Sequence, residues 1–183
     1  MKKIVIAIFF LVLMAVVASS RPVHGPMLFV YKLHGQTRKY QYTFDRGQHG
    51  IVVSWGIERN TKWQSGSFTM TEKAVENADS MSFRQPVDGE HVILPCSHTY
   101  HVILSRKAFA DLKRDGVFTY NGIEYHAKDV EVHDDFRLIH VHDNDEGADM
   151  WILDDSDLPV VWRMSGNPLG INWSVDTLNV LVK

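Results

Sequence analysis

Arg137 to Trp173 reads RLIHVHDNDEGADMWILDDSDLPVVWRMSGNPLGINW. Arg137–His142 and Asp149–Leu153 are short apolar-rich runs, and from Ile139 to His142 apolar and polar residues alternate. A period of two is the mark of a half-buried strand. Asp, Asn and Gly fill Asp143–Ala148 between the two runs, which predicts a hairpin. A second hairpin is predicted from Leu158–Met164 and Ile171–Val175 across Ser165–Gly170.

The same pattern extends outward to the rest of the chain. Strands are expected at Leu28–His34, Thr37–Asp45, a third run containing Ile51, Val53, Trp55 and Ile57, and Lys62–Thr71. In the second of these Tyr40, Tyr42 and Phe44 share one face. Short turns between them give an antiparallel meander. His91–Leu94, Tyr100–Leu104 and Val130–His133 read as further strands. VFTY, Asn121-Gly122 and IEYH form a hairpin, because Asn-Gly between apolar-rich runs favours a type I′ turn. One helix is expected over about 105–115: Ser105 is an N-cap, Phe109 and Leu112 share a face, and Gly116 suits the αL position. Thr71–Asp79 offers two weaker helical turns, with Val75 and Ala78 inward. The expected class is mainly β: one antiparallel barrel, half-barrel or sandwich of about ten strands with one short helix.

The N-terminus carries an address. Lys2 and Lys3 precede the unbroken apolar run Ile4–Val17, and Ala18, Ser19 and Ser20 are small. That is the pattern of a secretory signal peptide, residues 1–20, cleaved after Ala18 or Ser20. The run falls short of the roughly 20 residues that span a bilayer, so no stable membrane insertion is expected after cleavage. Residues 21–183 then form a single β-rich domain of about 160 residues, exported to the periplasm or outside the cell.

Composition narrows the partners. Lys and Arg number 19 against 22 Asp and Glu, a formal charge of −3 that becomes more negative once Lys2 and Lys3 are lost. Nucleic acid and anionic lipid both require a basic face and are not expected partners. Cys96 is the lone cysteine, so no disulfide forms within the chain. Its surroundings match no thiol-enzyme pattern, and it reads as a small, half-buried core residue.

Three groups have chemistry to offer. His140 and His142 lie two apart on a predicted strand, on the face opposite Ile139 and Val141, and with Glu146 they make H-x-H-x-x-x-E. The loop from Asp143 alternates oxygen ligands as calcium loops do, but Gly147 sits one position early for an EF-hand, and a solvated turn explains it. Asp154-Asp155-Ser156-Asp157 offers paired carboxylates in what reads as a wet acidic turn. No catalytic residue and no cofactor is assigned. Trp55, Trp63, Phe68, Trp151 and Trp162 fall on predicted strands and are the candidate ligand-binding residues, with plain core filling as the competing reading.

Two resemblances accompany these residues. H-x-H-x-x-x-E resembles the first metal motif of the cupins, and Pro168-Leu169-Gly170 resembles the Pro-x-Gly of the second. The cupin glycines would fall at Asp134 and Leu153 and the last histidine ligand at Trp173, so the pattern departs at three places. Trp151–Trp173, through W-x-L-D-D-x-x-L-P and the strand pair after it, resembles the closing strands of uncharacterised bacterial secreted proteins with an open β-barrel, broadly similar to periplasmic lipoprotein carriers. That resemblance implies an architecture and no activity. The expectation is an exported, non-catalytic β domain of the cell envelope that binds an apolar small molecule, a lipid chain or an envelope protein. The alternatives are a cupin-like metalloprotein using His140, His142 and Glu146, and a structural subunit of an envelope assembly.

Overall fold

The computed structural model describes residues 25–133 and 136–178. The predicted signal peptide lies outside the described residues. The chain begins as a meander of β1 (Met27–Leu33), β2 (Gln36–Gly47), β3 (Gly50–Arg59) and β4 (Lys62–Thr71). A middle section follows: α1 (Glu72–Asn77), β5 (Ser80–Ser82), β6 (His91–Ile93), β7 (His98–Tyr100) and α2 (Arg106–Asp115). A second meander ends the fold: β8 (Val117–Tyr120), β9 (Ile123–His133), β10 (Phe136–Asp143), β11 (Asp149–Leu153), β12 (Val161–Ser165) and β13 (Ile171–Leu178).

The two meanders join into one sheet because β1 pairs antiparallel with β13, placing Tyr31 opposite Trp173. The order is β6-β4-β3-β2-β1-β13-β12-β11-β10-β9-β8. β6 and β8 stand at its two ends, so the sheet is open and the closed-barrel alternative drops out. The fold is mainly β, as expected, with two qualifications. β6 runs parallel to β4, and β5 runs parallel to β7 in a separate two-stranded sheet. A second helix, α1, also forms, where Thr71 Oγ1 accepts the Ala74 N–H at 3.3 Å as an N-cap.

The middle section covers one face of the sheet. Alternation presents Met27, Phe29 and Tyr31 of β1 and Tyr40 and Tyr42 of β2 to it, and all five are buried. Phe68 and Met70 of β4 join them, with Phe68 stacked on Tyr100 at 4.3 Å. From the cover come Ala74, Val75, Met81, Leu94, Tyr100 and Val102–Leu104. Tyr100–Leu104 is not one strand. β7 stops at Tyr100, the chain turns, and Ile103 makes only an isolated bridge to Val160. Val102, Ile103 and Leu104 are all buried, so this apolar run is an enclosed connector, which periodicity alone does not separate from a strand.

α2 follows the expectation closely. Ser105 Oγ accepts the Ala108 N–H at 3.3 Å and donates to Ala78 O at 2.6 Å, while Gly116 takes the αL conformation with φ 72°. Ala108, Phe109 and Leu112 are buried. The Asn121-Gly122 turn has φ values of 55° and 76°, the pair a type I′ hairpin demands. β9 is longer than foreseen, absorbing Val130–His133, and β8 pairs with it only as far as His126. No helix among the described residues is long and apolar enough to cross a membrane.

Candidate functional site

A pocket of about 400 Å³ opens beside the β1–β2 turn. Its rings are Tyr31, Tyr40, Tyr42, Phe83, Tyr100 and His101, and Leu33 and Ile171 add aliphatic surface. His34, Arg38 and Arg84 also line it, and no Asp or Glu does. β1 and β2 supply one wall through the same alternation that builds the core. The segment after β5 and the end of β7 supply the other.

Hydrogen bonds tie the two walls together. His101 Nδ1 lies 3.2 Å from the Ser82 carbonyl oxygen. A carbonyl only accepts, so Nδ1 carries the proton and Nε2 presents its lone pair. The Tyr31 hydroxyl, 2.8 Å from Nε2, therefore donates to it. Tyr42 lies 3.2 Å from the Tyr31 oxygen and Tyr100 lies 3.2 Å from the Tyr42 oxygen. With the Tyr31 proton committed to His101, Tyr42 donates to Tyr31 and Tyr100 donates to Tyr42. The chain of protons runs in one direction, Tyr100 to Tyr42 to Tyr31 to His101.

Burial keeps this chain neutral. Loss of solvent pushes the His101 imidazole down to about 4, against the opposing bond to Ser82. Burial likewise pushes the Tyr31, Tyr42 and Tyr100 phenols well above their ordinary range; the charges of neighbouring phenols add to this, and hydrogen bonds to Tyr31 and Tyr42 partly oppose it. A histidine this weakly basic is a poor proton acceptor at neutral pH, and these phenols are poor donors to it. Phe83 stacks on the His101 ring at 5.1 Å and Trp173 meets it edge-on at 5.1 Å, so the ring is also fixed in orientation.

The candidate residues from the sequence lie elsewhere. Trp55 and Phe68 are buried core residues beside the tyrosines, and neither lines the pocket. Trp63 is 59 % exposed and lies over Gly56, where a Cβ would come within 2.2 Å of its ring. Trp162 is buried against Phe136 at 5.2 Å. Trp151 belongs to a row of facing residues, Asp129, His140, Trp151 and Arg163, across four strands. The five are not gathered around one cavity. The tyrosines that are gathered were visible in part, since Tyr40 and Tyr42 already shared a face, but no local signal joins them to His101.

His140 stacks flat on Trp151 at 4.4 Å, and the Arg163 guanidinium lies over the Trp151 ring, 3.5 Å from its centroid. His140 Nε2 and His142 Nδ1 converge on Asp149 Oδ1 at 2.7 and 3.0 Å. Asp149, not Glu146, is thus the acid beside the two histidines. These groups bond one another, and no three or more His, Cys, Asp or Glu among the described residues are arranged to hold a metal ion. The calcium-loop pattern also has another use. Asp143 is buried and accepts from the backbone N–H groups of Asp145, Glu146, Gly147 and Ala148. Its oxygens close the turn.

Asp154 bonds Lys113 at 2.7 Å and lies 3.4 Å from Arg137, and Asp155 accepts from Asp157 N at 2.9 Å and Leu158 N at 3.3 Å. The acidic run is thereby an anchor for α2 and a turn. Cys96 corrects its expectation: it is exposed, because Cys96-Ser97 forms the turn between β6 and β7 and points outward instead of into the core.

No family model, no curated protein and no solved structure matches this chain.

Proposed function

We propose that this chain is an exported, non-catalytic β domain that holds a small apolar ligand in the pocket between β1, β2 and the β5–β7 cover. One observation carries the reading: a ring-lined pocket of about 400 Å³ whose buried tyrosines and His101 already satisfy one another. Small-molecule sites are concave, largely preformed and lined mostly by apolar and aromatic groups, at roughly 300–1,000 Å³. The lowered basicity of His101 and the raised phenols favour a fixed scaffold over acid–base work. Export rests on the Lys2-Lys3 and Ile4–Val17 pattern.

The test uses N-phenyl-1-naphthylamine, a neutral apolar fluorophore, together with native mass spectrometry of protein purified from its own host. Stoichiometric binding of the fluorophore, lost when Leu33→Trp fills the pocket, is expected. Binding that Leu33→Trp leaves intact, or none at all, refutes the pocket as the site.

A second reading, docking of an envelope protein, is favoured by β9. Beyond His126, where β8 leaves it, the strand is exposed through His133 and carries Val130 at 49 % and Val132 at 74 % exposure. Such an edge accepts an added strand. Crosslinking in intact cells from a photoreactive residue at 132 tests it, and a capture pattern unchanged from that of a residue at exposed Thr37 refutes it.

A further inference from the structure

We infer that the ligand of this pocket is an acid: an apolar body lies against the tyrosines and its carboxylate or phosphate stays at the mouth, held by Arg38 with Arg84 and His34. The inference rests on the pocket reading above and adds the class of ligand to it.

Charge distribution is the first support. The chain has more acids than bases, yet the pocket lining contains two arginines and no carboxylate. Arg38 stands on β2 two residues before Tyr40, directly across from Tyr31, so it emerges on the pocket face. Its hydrogen bond is to a neutral group, Gln36 Oε1 at 3.3 Å, and among the described residues no carboxylate lies within 4 Å of it. A guanidinium carries five N–H donors in a planar fork that matches carboxylate or phosphate oxygens. Arg84 does have an acid, Glu90 at 3.3 Å, but both side chains are about half exposed and such a pair is weak. The His34 imidazole rests against Gly170, where a Cβ would come within 3.0 Å of its ring.

Polarity at the far wall is the second support. Every hydroxyl proton of the Tyr100–Tyr42–Tyr31 chain points along the chain toward His101, and the remaining His101 proton is committed to Ser82. These four groups have only lone pairs to offer. An anion pressed against these four would find no donor among them and would lose its hydration. A ligand with one charged end therefore enters body first.

Isothermal titration of the isolated exported protein with three probes of one shape tests this: 4-phenylbutyrate, 4-phenylbutanol and 4-phenylbutylamine. The acid is expected to bind about tenfold or more tighter than the alcohol, with the amine weakest. Arg38→Gln should bring the acid to the level of the alcohol and leave the alcohol unchanged, while Arg38→Lys retains part of the preference. The preference should also shrink as salt is raised. Decanoate as a fourth probe decides whether the body is a ring or a chain. Equal binding of acid and alcohol, with Arg38→Gln silent, overturns the head-group assignment and leaves the pocket reading standing. Failure of all four probes overturns both.

Discussion

The Tyr31 hydroxyl donates to His101 Nε2 at 2.8 Å, joining β1, next to the middle strand of the sheet, to the cover 70 residues further on. The bond requires a neutral imidazole, and burial supplies one by pushing His101 down to about 4. The sign follows from linkage. The unfolded chain carries an ordinary histidine near 6.5, so as pH falls below that value the unfolded state takes up a proton that the folded state refuses. Stability is full above about 6.5 and is lost progressively down to about 4. Between pH 7 and 5 the loss from this group should be about 2 kcal/mol. Urea melts of wild type and His101→Gln at both pH values isolate it. Equal pH dependence in the two proteins would contradict the buried neutral imidazole.

The cover is pinned by Ser105. Its side chain caps α2 and bonds Ala78 O, and its backbone N–H donates to the Tyr120 hydroxyl at 3.1 Å. Ser105→Ala should cost about 1–2 kcal/mol, at the high end for a cap because the buried Ala78 carbonyl also loses its donor, while the backbone N–H bond to Tyr120 remains. Phe109→Ala removes a buried ring from the same helix and should cost about 3–5 kcal/mol. Denaturant midpoints at constant m-value measure both. A loss under about 1 kcal/mol for Phe109→Ala would mean that α2 does not pack on the core by this face.

These elements were legible for a physical reason: each signal is local. Ser105, Phe109, Leu112 and Gly116 lie within one helix, and Asn121-Gly122 states its own turn. Alternation located most strands because one face of the sheet is buried. The pairing of β1 with β13 is different. It brings Met27–Leu33 against the far end of the chain, and nothing in either strand's pattern names its partner. The pocket was hidden for the same cause. Tyr31, Tyr42, Tyr100 and His101 meet from three separate stretches, each of which reads as ordinary aromatic core filling. Size makes tryptophan the obvious residue to line a cavity, but Trp63 and Trp151 lie on the face opposite the buried Phe68 and Met70 of β4 and Met150 and Ile152 of β11.

Asp143 offers a second acid-sensitive point. Burial alone would raise its carboxyl, but the four backbone N–H groups of Asp145–Ala148 outweigh that and hold it below the ordinary carboxylate range. A lowered folded value means that its stabilisation is present above about pH 4 and is lost as pH falls through the folded value. Asp143→Ala leaves those donors without their acceptor and should cost about 1–3 kcal/mol at pH 7, with the difference from wild type narrowing at pH 2–3. A gap that stays constant with pH would show that the ionised carboxylate is not the partner.

The last prediction concerns His140 and His142. Both are partly buried, at 18 and 28 % side-chain exposure, on the face opposite Val141, and both imidazoles donate toward Asp149 Oδ1. In that arrangement the carboxylate oxygen occupies the point on which the two rings converge, so a cation would have to displace two hydrogen bonds before gaining three ligands. A tight transition-metal site needs three or four ligands already held open by outer partners. Asp129, the outer partner available to His140 Nδ1, stands 3.5 Å away and is exposed, which makes it a weak one. Glu146, the acid of the H-x-H-x-x-x-E pattern, belongs to the turn closed by Asp143 and is not the group beside the rings. Protein purified without a histidine tag should therefore carry no stoichiometric Zn, Fe, Mn or Ni. The double substitution His140→Ala with His142→Ala should cost no more than about 2 kcal/mol, most of it from the lost stacking of His140 on Trp151. One metal per chain by elemental analysis, absent from the double variant, would instead make these residues the functional centre and a cupin-like metalloprotein the better account.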